Sequence, residues 1–301
     1  MLLQRTRKTH APVAGIQMTP SVCPDLSRIC RLTNADTSEV LSFLSLRPVH
    51  TVVMKSFIID NGIESALNRG TFHAYRNADG ILEGVALIGH STLVEARTDS
   101  AMHALAITAR HSTTPINLIM SDGITAESFW SYLSGGASEP RLRCIEELFE
   151  LSFPFLVKEC DWDVRYATLG ELERISEAQA EVALLESGID PMVRDREGFL
   201  KRVARRIEQN RIFVVFEDGE LIFKADVVAR TDDVAYLEGV YVHPDRRGEG
   251  IGPDCLAEVG LRLLNEVENV CLLSNVKFRS AHGSFTKAGF KNTDRCTTLF
   301  L

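Results

Sequence analysis

Arg246, Arg247, Gly248, Glu249, Gly250, Ile251 and Gly252 place two adjacent guanidinium groups beside three closely spaced glycines, directly after an apolar run ending at Val242. A glycine-rich loop that opens a helix lets successive backbone N–H groups converge on one anion, where the peptide dipoles also favour negative charge. Paired arginines add fixed charge and planar donor forks suited to phosphate. The chemistry predicted is therefore the holding of a phosphate or pyrophosphate group. Two common nucleotide loops fit poorly. No Lys-Ser or Lys-Thr follows the glycines, as a Walker loop requires, and an arginine stands where the first glycine of a dinucleotide fingerprint belongs.

The elements around this loop must aim it. Val234, Tyr236, Val240 and Val242 read as a strand that Pro244 and Asp245 end, with residues 236, 238, 240 and 242 expected on one face. A helix follows over Pro253 to Val267, with Leu256, Val259, Leu263 and Val267 at helical spacing. Upstream come helices over Leu169 to Leu185 and Arg196 to Gln209, then strands over Arg211 to Phe216 and Leu221 to Val228. Downstream come a strand over Val270 to Ser274, a helix over Ser280 to Ala288 and a final strand or pair within Phe290 to Leu301. The first half predicts the same order. Helices over Ser38 to Leu46 and His50 to Gly62 precede strands over Thr71 to Tyr75 and Gly84 to His90, continued by Val94 to Arg97. A helix over Ser100 to Ala109, a strand over Pro115 to Met120, a helix over Thr125 to Leu133 and a helix-like Arg141 to Leu151 complete it. In this copy residues 90–97 take the place of the phosphate loop, without glycines or paired arginines.

The order strand, HPDRRGEGIG, helix resembles the coenzyme A pyrophosphate loop of the GNAT superfamily of acyl-CoA-dependent N-acetyltransferases. FKADV at Phe223–Val227 and the late Gly289–Phe290 pair add to the likeness, and the duplicated order resembles tandem members with a degenerate first half. The resemblance implies an α/β fold of two GNAT-like halves, each a mixed, mostly antiparallel twisted sheet flanked by helices. It implies a tail at residues 1–25, a degenerate half at 26–155 and an acyl-CoA-binding half at 160–301. The co-substrate would be acetyl-CoA or another acyl-CoA. Backbone groups of Val240, Tyr241 and Val242 would pair with the pantetheine arm, and Gly248, Gly250, Ile251 and Gly252 would cradle the pyrophosphate beside Arg246 and Arg247. Glu249 would point outward as a solvated charge. Asn275 is a pantetheine contact or a strand-end turn residue. Glu238 is the candidate general base, its pKa raised by burial; the bland alternative is a structural carboxylate paired with Lys224 or an arginine of the 202–206 cluster. Two departures matter. Phe285, which would pack against the cofactor but has no proton to give, stands where the family often carries a proton-donating tyrosine, and Phe278 where it usually carries asparagine. Water, His282 or Tyr241 would then protonate the leaving thiolate. The rival reading is an acyl-CoA sensor or scaffold with little turnover.

Composition narrows the setting. A net charge of −8 argues against a nucleic-acid domain, which would show a basic face. No apolar run reaches the ~18 residues of a membrane span. The 1–25 segment has no continuous apolar core and reads as a disordered tail, with Met18 an alternative start. An odd number of cysteines without C-x-x-C spacing, and scattered histidines, predict free thiols, a cytoplasmic protein and no structural metal. Lys224 and Asp226 are expected to form a structural ion pair. The acceptor stays open among small-molecule amines, a protein lysine and a protein N-terminus; a homodimer is compatible with the fold.

Overall fold

The computed structural model describes residues 24–156 and 159–301. All but the end of the expected tail lies outside these residues. Two similar runs of elements follow one another. The first comprises β1 (Ile29–Arg31), α1 (Thr37–Leu44), α2 (Val52–Asn61), β2 (Gly70–Arg76), β3 (Leu82–Gly89), β4 (Ser91–Ala96), α3 (Asp99–Arg110), β5 (Leu118–Asp122), α4 (Gly123–Ser134) and β6 (Leu142–Leu151). The second comprises β7 (Arg165–Tyr166), α5 (Leu172–Ser187), α6 (Pro191–Glu208), β8 (Ile212–Glu217), β9 (Glu220–Arg230), β10 (Val234–Val242), α7 (Ile251–Leu263), β11 (Asn269–Asn275), α8 (Arg279–Lys287) and β12 (Lys291–Phe300).

Both runs open with the same device. Thr33 with Asp36, and Thr168 with Glu171, form capping boxes that satisfy the free N–H groups at the helix start. In α6 the backbone breaks at Asp195, whose carboxylate accepts from Gly198 N–H at 3.0 Å. The main helix therefore restarts at Arg196, as the sequence predicts.

The strands form one twelve-stranded sheet in the order β1-β2-β3-β4-β5-β12-β6-β11-β10-β9-β8-β7. Its pairs are antiparallel except β4–β5 and β10–β11. The final strands of the two runs are exchanged at the seam. β12 lies between β5 and β6, and β6 lies between β12 and β11. This corrects the helical expectation for 141–151. Leucine and glutamate favour helix in isolation, but ladder bonds to a strand on each side override that propensity.

Alternate residues of each strand feed opposite cores. Ile212 and Val214 pack with α5 and α6, whereas Phe213 and Val215 pack with α7 and Phe285. In the first half Phe72 and Ala74 meet α1 and α2, and Tyr75, Ala86 and Ile88 meet α3 and α4. Across the seam, Val52 of α2 packs with Leu148, Tyr236, Cys271 and Cys296. Lys55 pairs with Asp233 at 2.8 Å and Arg211 with Asp60 at 2.6 Å, fixing the two halves to each other. No described helix is long and apolar enough to cross a membrane. Among the described residues no group of acidic, histidine and cysteine side chains could hold a metal ion.

Candidate functional site

β10 and β11 pair in parallel only from Val234 to Leu237. Beyond that point β11 runs on against β6 to Asn275, while β10 follows β9 alone. The two strands part, and the backbone of residues 238–242 becomes an edge facing an opening. A bulge at Gly239 turns β10 away. Its φ is +59°, and a side chain there would collide with the Gln179 amide and the Lys224 ammonium. Lys224, fully buried, holds the bulge in place. It donates to Gln179 Oε1 at 2.6 Å and to the Gly239 carbonyl at 3.0 Å, and meets Asp226 at 2.6 Å. Burial pushes its pKa down and the Asp226 charge opposes this. The expected Lys224–Asp226 pair is thus present, with a structural task.

The bulge also corrects the expected alternation. Tyr236 and Glu238 face the α5 side, but Val240 and Val242 pack with the α7 core and Tyr241 with the α5–α6 core. One extra residue between Glu238 and Tyr241 shifts the register and exchanges the faces.

At the end of β10, Pro244–Arg246 make one 3₁₀ turn, and Gly248 and Gly250 adopt φ of +91° and +90°. Only glycine takes these angles without strain. The first bond entering α7 runs from Asp254 N–H to the Gly250 carbonyl at 3.2 Å. Among the described residues no protein acceptor pairs with the N–H groups of Gly248 through Gly252, which form a donor nest at the N-terminus of α7. The two arginines divide. Arg246 lies over the Trp162 ring and is bonded to Glu217 at 2.6 Å and Glu249 at 2.8 Å. Glu249 is therefore a paired charge, not a free one. Arg247 is exposed and donates only Nε, to the Val242 carbonyl at 3.2 Å.

Glu238 accepts from the Tyr236 hydroxyl at 3.0 Å and makes no salt bridge among the described residues. Asp226, not Glu238, takes Lys224 and Arg206. Two further carboxyls, invisible to the sequence reading, face the same opening. Glu146 of β6 accepts from Thr298 Oγ1 at 2.6 Å, and burial, with the Glu238 charge, pushes its pKa up to about 7. Glu186, at the end of α5, is an exposed residue, yet its carboxyl is desolvated on the side toward Glu238 and Glu146 and is pushed up to about 8.

On the opposite face of the sheet, buried Phe285 packs edge-on against Phe149 with ring centroids 5.4 Å apart. His282 Nε2 lies 3.1 Å from the Asn275 carbonyl, and Asn275 Oδ1 accepts from Lys277 N–H at 3.0 Å. The strand-end turn role of Asn275 is thus present.

The first half has no such loop. Residues 91–96 are strand, which corrects the placement of the loop counterpart at 90–97. The true counterpart is Arg97–Thr98, where Thr98 caps α3 through Ala101 N–H at 3.2 Å. At the matching opening Glu95, 2% exposed, is bridged by Arg47 at 3.2 Å and Arg97 at 3.1 Å. Arg47 also bonds Asp122 at 2.9 Å.

Residues 208–292 match the family model of an acetyltransferase (GNAT) domain. No curated protein matches the chain. Among solved structures, a GCN5-related N-acetyltransferase from Sphaerobacter thermophilus aligns at 14% identity and a TM-score of 0.62, covering 92% of this chain and 96% of its own. A GNAT-family acetyltransferase from Colwellia psychrerythraea aligns at 11% identity and a TM-score of 0.59, covering 91% and 99%. A tandem GNAT protein from the clavulanic acid biosynthesis pathway aligns at 14% identity and a TM-score of 0.54, covering 90% and 98%. Such low identity speaks to the fold. Residues 208–292 thus match a GNAT acetyltransferase domain, within a chain whose fold over its whole length is similar to that of a tandem GNAT protein.

Proposed function

We propose that the chain transfers an acetyl or short acyl group from acyl-CoA directly to a primary amine, with Glu238 as general base. The observation that carries this reading is the parting of β10 from β11, which leads from Glu238 straight to the donor nest at α7. The nest and Arg247 suit a pyrophosphate, and the free edge at 240–242 suits an amide-bearing arm. Residues 160–301 thus serve as the acyl-CoA half, and 26–155 as its degenerate counterpart.

Bound acyl-CoA supplies the thioester. A backbone N–H of the β10 edge polarises the carbonyl. Glu238 takes a proton from the attacking amine as the C–N bond forms, and the Tyr236 hydroxyl fixes its carboxylate. The C–S bond then breaks. Phe285 has no proton to give, so water protonates the thiolate, whose conjugate acid has a pKa near ~8.5. An acyl-cysteine route is disfavoured because burial pushes the Cys255 and Cys271 thiols well up, leaving no thiolate to attack. Free buried thiols suit a reducing, cytoplasmic setting.

Release of free CoA across an amine and peptide panel tests the reading. Amine-dependent release that falls at least about a hundredfold in Glu238→Gln supports it. A second reading rests on Phe285. If acetyl-CoA binds, the native chain turns over no amine and Phe285→Tyr alone releases CoA, the protein is an acyl-CoA sensor.

A further inference from the structure

Building on the transferase reading above, we infer that the acceptor is an amine with a second cationic group, held by a subsite that Glu146 of the first half completes.

One rung of the sheet shows why. Asp122, Cys296, Glu146 and Asn275 lie directly opposite one another across β5, β12, β6 and β11. Opposed residues share a face, so Glu146 stands on the Glu238 side of the sheet, at the open end of the second half. It arrives there only because β6 crosses the seam. Thr298 of β12 fixes its carboxylate, and Glu186 enters from the end of α5. Three carboxyls from three elements thus meet one opening without a cation in salt-bridge contact among the described residues.

The first half shows what such an opening holds. Asp122 occupies on β5 the place that Asn275 occupies on β11, and Glu95 lies on the matching parallel strand. There the chain supplies its own cation: Arg47, from the connection between α1 and α2, bonds both carboxylates. In the second half the end of α5 brings Glu186 in place of a cation. Burial drives carboxyls at both openings toward the neutral form: Glu146, Glu186 (against the opposing Lys224 charge) and, in the first half, Glu95 are all shifted upward. An ammonium entering from solvent would oppose that burial, as the Arg47 charge opposes it at Glu95 and Asp122.

The roles then separate. The amine that reacts must lose its proton, to Glu238. A second ammonium keeps its charge and pairs with Glu146 and Glu186, setting the first at the thioester.

The test compares diaminobutane with butylamine as acceptors for the full chain, its Glu146→Gln form and its Glu186→Gln form. In the native chain kcat/KM should favour the diamine by at least about tenfold, or 1.4 kcal/mol. Glu146→Gln should bring the two amines close to parity, through the KM of the diamine with its kcat kept. Equal use of both amines by the native chain, or an equal loss for both in Glu146→Gln, overturns the inference. Should Glu146→Gln fail to fold, Glu186→Gln carries the same comparison. Calorimetric titration of both amines into the acetyl-CoA-saturated protein separates this inference from the one beneath it. Diamine binding that weakens in the variants without any CoA release keeps the subsite and sinks the transferase reading; binding that ignores the variants sinks the subsite.

Discussion

The two openings of this sheet share a backbone plan and differ in who supplies the counter-charge. In the first half Arg47 and Arg97 close over Glu95 and Asp122, and the strand passes to α3 through Arg97–Thr98 alone. In the second half the strand ends in a glycine nest, and among the described residues no arginine pairs with the carboxyls at the opening. On the function proposed above, a duplicated fold has kept one opening as packing and the other as a site. Function would then reside in a loop of a few residues and in the presence or absence of one guanidinium, not in the architecture.

The largest expected effect breaks the nest. Gly250→Val forces a β-branched residue to a φ of +90°, at a cost of roughly 1–3 kcal/mol. Calorimetry should show acetyl-CoA affinity falling about a hundredfold, while Thr98→Gly in the first half leaves it unchanged. Equal losses would mean that both halves bind the coenzyme. Next comes Arg47→Gln, which uncovers a carboxylate buried to 2% exposure. It should destabilise the protein by about 1–3 kcal/mol in urea unfolding, because Glu95 is left with Arg97 alone and Asp122 loses its cation. Glu146→Gln, at the other opening, should cost no stability at neutral pH.

A smaller effect divides the arginine pair. Arg247→Gln should weaken acetyl-CoA binding several-fold more than Arg246→Gln, since Arg246 is already engaged by Glu217 and Glu249. The reverse order would mean that those pairs open when the coenzyme binds. The smallest is a slope. Glu146 has a folded-state pKa of about 7 against an ordinary 4.5, so the folded chain binds more protons than the unfolded chain between those values. Its contribution is fully present below the ordinary value and is lost as pH rises toward 7. Urea midpoints of the native chain should fall over that window more steeply than those of Glu146→Gln. Parallel curves would show Glu146 to be ionised throughout.

Much of the second half is legible in its sequence. The run from Tyr236 to Gly252 carries its strand, turn and helix start in local residue types, and α6 restarts where its apolar spacing does. What stayed hidden depends on distant partners. The Gly239 bulge is held by a lysine from the neighbouring strand, so alternation along β10 could not reveal it. β6 reads as helix because its strand partners lie far downstream, and with it Glu146 escaped notice as a neighbour of Glu238. Arg246 and Arg247 are equivalent in sequence; only the reach of Glu217 on the β8–β9 hairpin separates them.

The exchanged seam has a consequence for how the chain is made. β5, complete at Asp122, pairs with β12, which begins at Lys291. At roughly 10 residues per second, a ribosome leaves β5 waiting on the order of 15 s for that partner. The nascent first half cannot close its sheet in the meantime, and β5 and β6 remain open edges exposed to other chains. Unlike two beads on a string, which fold one after the other, these halves reach the native state together. A stop codon ahead of Lys291 would leave both unfinished.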